Sequence, residues 1–238
     1  GLLQRTRKCL DTREYVSLRG ATAASQPAGE QLARLMRIAI MGNRGLPSTY
    51  SGYETFADAL GSRLAQRGHE VMVYCRAPLY RERPPHYRGM QLLYTPSIES
   101  KSLSTLSHTW ACMADVVRRQ TDVILVCNVA NGLHLAVPRL LRRKSVINVD
   151  GLEWKRPKWR GLGQRYFRFA AHAACRLADC VVCDAEAMAD VYRSEFGVQT
   201  VTIAYGAEMG ASGQPETVRA WGLEPGRYLL ALGRLIPD

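Results

Sequence analysis

Two short stretches of this 238-residue chain hold residue types at spacings that chemistry could use. The first, MGNRGLPSTYSGYETF (41–56), follows the apolar run Ile38-Ala39-Ile40 and contains Gly42, Gly45, Gly52 and Pro47. A glycine turn leading into a helix N-terminus offers unhindered backbone N–H groups at a positive dipole end, which suits a phosphate or diphosphate. The spacing is not G-x-G-x-x-G, so the dinucleotide fingerprint is absent. The plain alternative is a tight strand–helix turn with no ligand, although three glycines exceed what a turn needs. The second stretch, VINVDGLEWKRPKWRGLG (146–163), places Asp150 where a buried strand should end. A carboxylate there could hydrogen-bond a hydroxyl or accept its proton. Asp-Gly also shapes turns, so both readings stay open. Glu153, Lys155 and Arg156 follow in a loop unusually rich in charge and aromatics.

Positioning these residues requires a scaffold, and the pattern from Met36 onward supplies one by alternating strands and helices. Strands are expected at 37–42, 69–75, 89–96, 121–128, 145–151, 179–185 and 199–208. Helices are expected at 53–68, 103–120, 132–144, 162–178 and 186–197, with Pro138 weakening the third. Phe56, Leu60 and Leu64 mark one face of the first helix, and Gly68 closes it as a C′ glycine. Such repetition, with strands reading as apolar runs, predicts an α/β fold: a doubly wound, mostly parallel, Rossmann-like sheet. Ligands of these sheets bind beyond the carboxyl ends of the strands. The expected organisation is a disordered leader or misassigned start at 1–35, a Rossmann-like domain at 36–209, a Gly/Pro-rich linker at 210–226, and at 227–238 the first strand of a second domain.

Composition is that of an ordinary globular protein, 47% hydrophobic and 22% charged. No stretch approaches the roughly 20 apolar residues that span a bilayer. Seven cysteines, several within apolar runs, suggest reduced thiols and a cytoplasmic compartment. Cys175, Cys180 and Cys183 have an iron–sulfur-like spacing, but strand alternation would point positions 180 and 183 to opposite faces, which favours core cysteines. The net charge of +11 is concentrated: between Arg139 and Arg176 lie eleven Lys or Arg and only two acidic residues. Trp154, Trp159, Tyr166, Phe167 and Phe169 are interleaved with them. Charge alone admits an anionic membrane, nucleic acid, or simply a solvated face.

The stretches MRIAIMGNRGLPSTYSGYETFADALGSRLAQRGHEVMVYCR, NVDGLEWKRPKW, IAYGAE and LGRLIPD together resemble the N-terminal half of a retaining glycosyltransferase of the GT-B fold, family 4-like. More narrowly, they resemble the branch of bacterial rhamnosyltransferases that assemble capsule and exopolysaccharide. The similarity covers about residues 36–238.

The resemblance implies two Rossmann-like domains facing a cleft, the N-terminal one on the acceptor side. It implies that Gly45, Ser51 and Gly52 lie near the diphosphate of a nucleotide sugar, with Arg234 reaching it from the second domain. Asp150 would occupy the strand-end position where many relatives carry an active-site histidine. Glu153, Trp154, Lys155 and Arg156 would face the acceptor or the membrane. The implied reaction moves a sugar, rhamnose in the narrow branch, to a saccharide or lipid-linked acceptor with retention, and uses neither metal nor cofactor. The basic-aromatic stretch then becomes a peripheral contact with anionic lipid at the cytoplasmic leaflet, with no nucleic acid partner. The chain is expected to be truncated and inactive alone, because half of the charge stabilisation would come from the other domain. A different class stays open beside this one: a stand-alone module for NADP or another phosphate ligand, with Arg76 serving a 2′-phosphate.

Overall fold

The computed structural model describes residues 35–48, 52–100, 103–157, 159–206 and 215–230. Eight strands form one sheet: β1 (Arg37–Met41), β2 (Glu70–Arg76), β3 (His86–Tyr87), β4 (Met90–Thr95), β5 (Val123–Cys127), β6 (Lys144–Val149), β7 (Cys180–Cys183) and β8 (Val201–Thr202). Their spatial order is β3-β4-β2-β1-β5-β6-β7-β8. Every pairing is parallel except that of β3 with β4. The sequence order reverses at β1, so the crevice beyond the ends of β1 and β5 is where this topology places a ligand.

The α-helices of the described residues are α1 (Gly52–Gln66), α2 (Ser104–Val116), α3 (Ala136–Leu140), α4 (Leu162–Leu177), α5 (Glu186–Phe196) and α6 (Pro215–Arg219). The central strands are buried on both faces, which is why they are apolar throughout. One face carries Ile38, Ile40, Val71, Val73 and Leu125 and packs with Ala57 of α1. The other carries Ala39, Met41, Met72, Ile124, Ile147 and Val181 and packs with α2, α4 and α5. Successive residues of one strand thus serve opposite cores, as the two-residue period of a strand requires.

The strand–helix alternation of the sequence is present, with four local differences. The helix expected over 132–144 is divided. A 3-10 segment occupies Val129–Leu135, α3 is short, and β6 already begins at Lys144. Asn128 starts the 3-10 segment by accepting a hydrogen bond from Ala130 N–H on its side chain. Close packing holds it: a Cβ at Gly132 would lie 2.1 Å from the Ala170 carbonyl of α4. The small residues Ala170, Ala171 and Ala174, all buried, allow that approach.

The strand expected over 199–208 shortens to β8. Ile203 N–H still reaches the Cys183 carbonyl, but β7 ends there and 203–206 form no strand; residues 207 and 208 lie outside the described residues. The short β3 is an addition. It joins β4 through Arg88 and Gly89, both with positive φ, the backbone of a tight two-residue hairpin. The strand expected from Arg227 does not form over its described part, 227–230, where Leu229 is fully exposed; residues 231–238 lie outside the described residues, as does the leader 1–34.

Candidate functional site

The glycine turn 42–48 rises from β1 and is folded tightly onto its neighbours. Gly42 has φ +89°, and a Cβ there would sit 2.3 Å from the Cys127 carbonyl at the end of β5. Gly45 has φ +117°, and a Cβ there would sit 2.6 Å from Cβ of Cys75 in β2. Leu46 N–H donates to Cys75 Sγ at 3.4 Å. Two of the three glycines are therefore required by backbone conformation and packing against the sheet. Gly52 differs: it opens α1, is exposed, and has nothing within 4 Å of a built Cβ. Of the predicted phosphate-facing set, Gly52 alone among the described residues presents open space at a helix N-terminus. Ser51 and Arg234 lie outside the described residues.

Glu54, in the first turn of α1, is buried and accepts the Arg44 N–H at 3.0 Å. This bond ties the turn to the helix. Asn43, next to Arg44 in the turn, is 2% exposed, and neither of its side-chain amide atoms has a partner. Tyr53 likewise keeps a buried hydroxyl without a partner. Burial pushes the Tyr53 phenol well above its ordinary range, and the Asp150 charge adds to that. A buried polar atom left unpaired costs about 1–3 kcal/mol, so these groups are placed for something other than stability.

Asp150 follows β6 directly and is accessible to solvent. Its pKa is raised from the ordinary 3.8, chiefly by partial burial, then by Asp184 and Glu153, against the opposing Arg156. Asp184, after β7, keeps one buried carboxylate oxygen without a partner. Gly151 turns the chain away with φ +77°. Asn43, Asp150 and Asp184 follow the carboxyl ends of β1, β6 and β7, and the charge of Asp150 acts on Tyr53 and that of Asp184 on Asp150. The arrangement can accept hydrogen bonds from hydroxyl groups, and the raised pKa of Asp150 makes it a better proton acceptor than an ordinary aspartate.

Tyr205 completes this edge. Its hydroxyl donates to Asn148 Oδ1 at 3.3 Å, and its ring meets Phe56 edge-on with centroids 5.6 Å apart. The segment after β8 therefore folds back over β6 toward α1. Tyr53, Asn148 and Tyr205 had no signal in the sequence beyond Asn148 itself, an amide interrupting an apolar strand.

In the loop after Asp150, Trp154 is placed otherwise than a membrane-facing expectation requires. Trp154 is 3% exposed and packs against Tyr192 and Phe196 with centroids 5.8 and 5.5 Å apart. Its Nε1–H donates to Glu195 at 3.2 Å, and Lys155 pairs with the same carboxylate at 2.7 Å. Glu153 accepts from Arg156 at 2.7 Å and from the Trp159 indole at 2.6 Å. A buried indole cannot touch a membrane; Trp154 and Lys155 fix the loop to α5, while the Glu153 contacts with Arg156 and Trp159 brace the loop on itself. The exposed basic-aromatic surface lies instead on α4, where Leu162 is 82% and Phe169 58% exposed beside Arg165, Arg168, His172 and Arg176.

Cys183 is buried, Cys175 and Cys180 are half-buried. Among the described residues no three His, Cys, Asp or Glu side chains are grouped as metal ligands, and no helix is long and apolar enough to cross a membrane.

The family model of Glycosyltransferase Family 4 matches residues 50–206. Among solved structures, sucrose-phosphate synthase from Thermosynechococcus elongatus is similar, with 18% identity and a TM-score of 0.57 over 73% of this chain and 49% of that one. Anabaena HepE, solved with UDP and glucose, has 16% identity and a TM-score of 0.53 over 79% of this chain and 50% of that one. The chain spans about half the length of these structures. No curated protein matched. The chain belongs to glycosyltransferase family 4, and its sheet is the Rossmann-like fold of a GT-B N-terminal half.

Proposed function

We propose that this chain is the acceptor-side half of an enzyme that transfers a sugar from a nucleotide diphosphate to a saccharide or lipid-linked acceptor. The observation that carries the reading is the placement of Asn43, Asp150 and Asp184 at the carboxyl ends of strands with Tyr53 close to Asp150, three of the four with buried polar atoms that lack partners. The presence of UDP and glucose in HepE supports a nucleotide-sugar donor.

In this reading Gly52 presents the N-terminus of α1 to the donor diphosphate, with Ser51 beside it, and Gly45 shapes the turn that carries them. A second Rossmann-like domain supplies the opposite wall, including Arg234, so the described half binds without turning over. Charge developing on the departing diphosphate is met by backbone N–H groups and arginines. Asp150 faces the acceptor hydroxyl and the reacting sugar. Its raised pKa suits a group that passes a proton rather than one that serves only as a fixed charge. Rhamnose from a thymidine diphosphate donor, used in surface polysaccharide assembly, is the finer form of the proposal. The outer face of α4, with Leu162 and Phe169 among four basic or titratable side chains, rests on anionic lipid and brings a lipid-linked acceptor within reach.

Incubation of the full-length gene product with a panel of labelled nucleotide sugars and a cell-envelope lipid fraction tests the proposal. Donor-dependent labelling of lipid or saccharide, lost in Asp150→Asn with donor binding retained, is expected. Donor binding without any labelled product across the panel would sink it.

A further inference from the structure

Arg76 ends β2 and is 5% exposed. One of its terminal nitrogens donates to Thr105 Oγ1 at 2.9 Å, while the buried Nε has no partner. Among the described residues no carboxylate forms an ion pair with this guanidinium, and Glu99 and Glu54 act on it only through longer-range attraction. Glu99 leads the charges that act on it, opposed by Arg44. Arg76 N–H donates to the Arg44 carbonyl at 2.9 Å, which ties β2 to the glycine turn, and the Arg44 charge acts on the Arg76 guanidinium. His108 is fully buried, and burial together with Arg76 pushes its pKa down to about 4, so it carries no charge at neutral pH.

Burying a guanidinium without an ion-pair partner is costly, and a buried Nε–H with no acceptor adds to that cost. A planar donor fork held this way matches an oxyanion with two acceptor oxygens. Its position matters as much as its charge. Arg44 belongs to the glycine turn, so the two arginines stand at the carboxyl ends of β1 and β2, on the side of the turn away from Asp150.

We infer that Arg76 and Arg44 form a subsite for an oxyanion group, phosphate or carboxylate, carried by a substrate. The inference rests on the glycosyl-transfer reading for the identity of the carrier. The donor diphosphate and an anionic group on the acceptor present the same chemistry to this pair.

Thermal melting of the full-length protein at fixed ionic strength, with chloride exchanged for inorganic phosphate, tests the site without any transfer assay. Wild type should show a saturable rise in melting temperature. Arg76→Met should melt no lower than wild type in chloride, because an uncompensated charge has been removed, and should lose the phosphate response. Arg76→Lys, which keeps the charge and guards against a variant that fails to fold, should need at least tenfold more phosphate for the same shift. A methionine variant that melts lower in chloride, or a lysine variant with an unchanged phosphate response, overturns the inference and makes Arg76 a structural residue. Phosphate displaced by a nucleoside diphosphate assigns the subsite to the donor; phosphate still bound at saturating nucleoside diphosphate assigns it to the acceptor. A chain that binds phosphate through Arg76 yet binds no nucleotide sugar keeps the subsite and removes the glycosyl-transfer reading.

Discussion

Gly45 lies so close to Cys75 that a side chain at position 45 has nowhere to go: a Cβ would be 2.6 Å from Cβ and 2.7 Å from Cα of Cys75. One of the colliding atoms is backbone, and the φ of +117° is strained for any L side chain. Gly45→Ala should therefore destabilise the fold by about 2–4 kcal/mol in urea unfolding. Gly52→Ala, in open space on a helix, should be neutral or stabilising by up to about 1 kcal/mol. The two glycines separate packing from ligand approach. Equal losses of stability in both variants would contradict that division.

Trp154 and Lys155 share Glu195 but contribute differently. The indole is buried against Tyr192 and Phe196, so Trp154→Ala should cost about 3–5 kcal/mol. The Lys155 side chain is 48% exposed in its pair with Glu195, and Lys155→Met should cost no more than about 1 kcal/mol. Denaturant midpoints at low and high salt check both, since only the lysine contribution is screened. A salt-sensitive loss at Trp154 would contradict the packing account.

The strands and most helices are legible in the sequence because parallel strands buried on both faces must be apolar runs, and helices between them must show a stripe. Asp150 and Asp184 are legible for the same reason, as polar residues at the ends of such runs. Trp154 is not. An aromatic residue amid Lys and Arg has the pattern of a surface loop, and only the position of α5 shows what it packs against. Tyr53 and Tyr205 reach the site through contacts across 57 residues of chain in the case of Tyr205 with Asn148, which no local pattern records. The 3-10 segment 129–135 follows from Gly132 meeting Ala170, a contact between elements that a helical stripe cannot reveal.

The outer face of α4 offers a test of lipid contact independent of catalysis. Leu162 and Phe169 are exposed, at 82% and 58%, so Leu162→Ser with Phe169→Ser should leave the melting temperature within a degree or two. Cosedimentation with vesicles containing anionic phosphatidylglycerol should fall several-fold, because both apolar anchors are lost. Arg165→Gln with Arg168→Gln should weaken binding to anionic vesicles and flatten its salt dependence, at roughly 1 kcal/mol per charge. Equal binding of wild type to neutral phosphatidylcholine vesicles would assign the attraction to apolar contact alone. Unchanged sedimentation in both double variants would remove this face from any membrane role.

Asp150 makes a prediction in which the sign of the pH dependence decides the outcome. Its folded pKa lies above the ordinary 3.8, because of partial burial and the neighbouring Asp184 and Glu153. A carboxyl with a raised folded pKa disfavours folding once it ionises. That penalty is absent below the unfolded pKa and is complete above the folded one. Asp150→Asn removes it, so the variant should melt higher than wild type at pH 7, and the difference should vanish as pH falls below about 3.8. Transfer should fall at the same time, since the amide cannot take a proton from an acceptor hydroxyl. A stability gain at neutral pH together with a loss of activity is the pattern of a residue kept for chemistry against the interest of the fold. Asp150→Asn melting lower than wild type at pH 7 would instead make Asp150 a turn-shaping residue, with the Asp150-Gly151 step as its whole role.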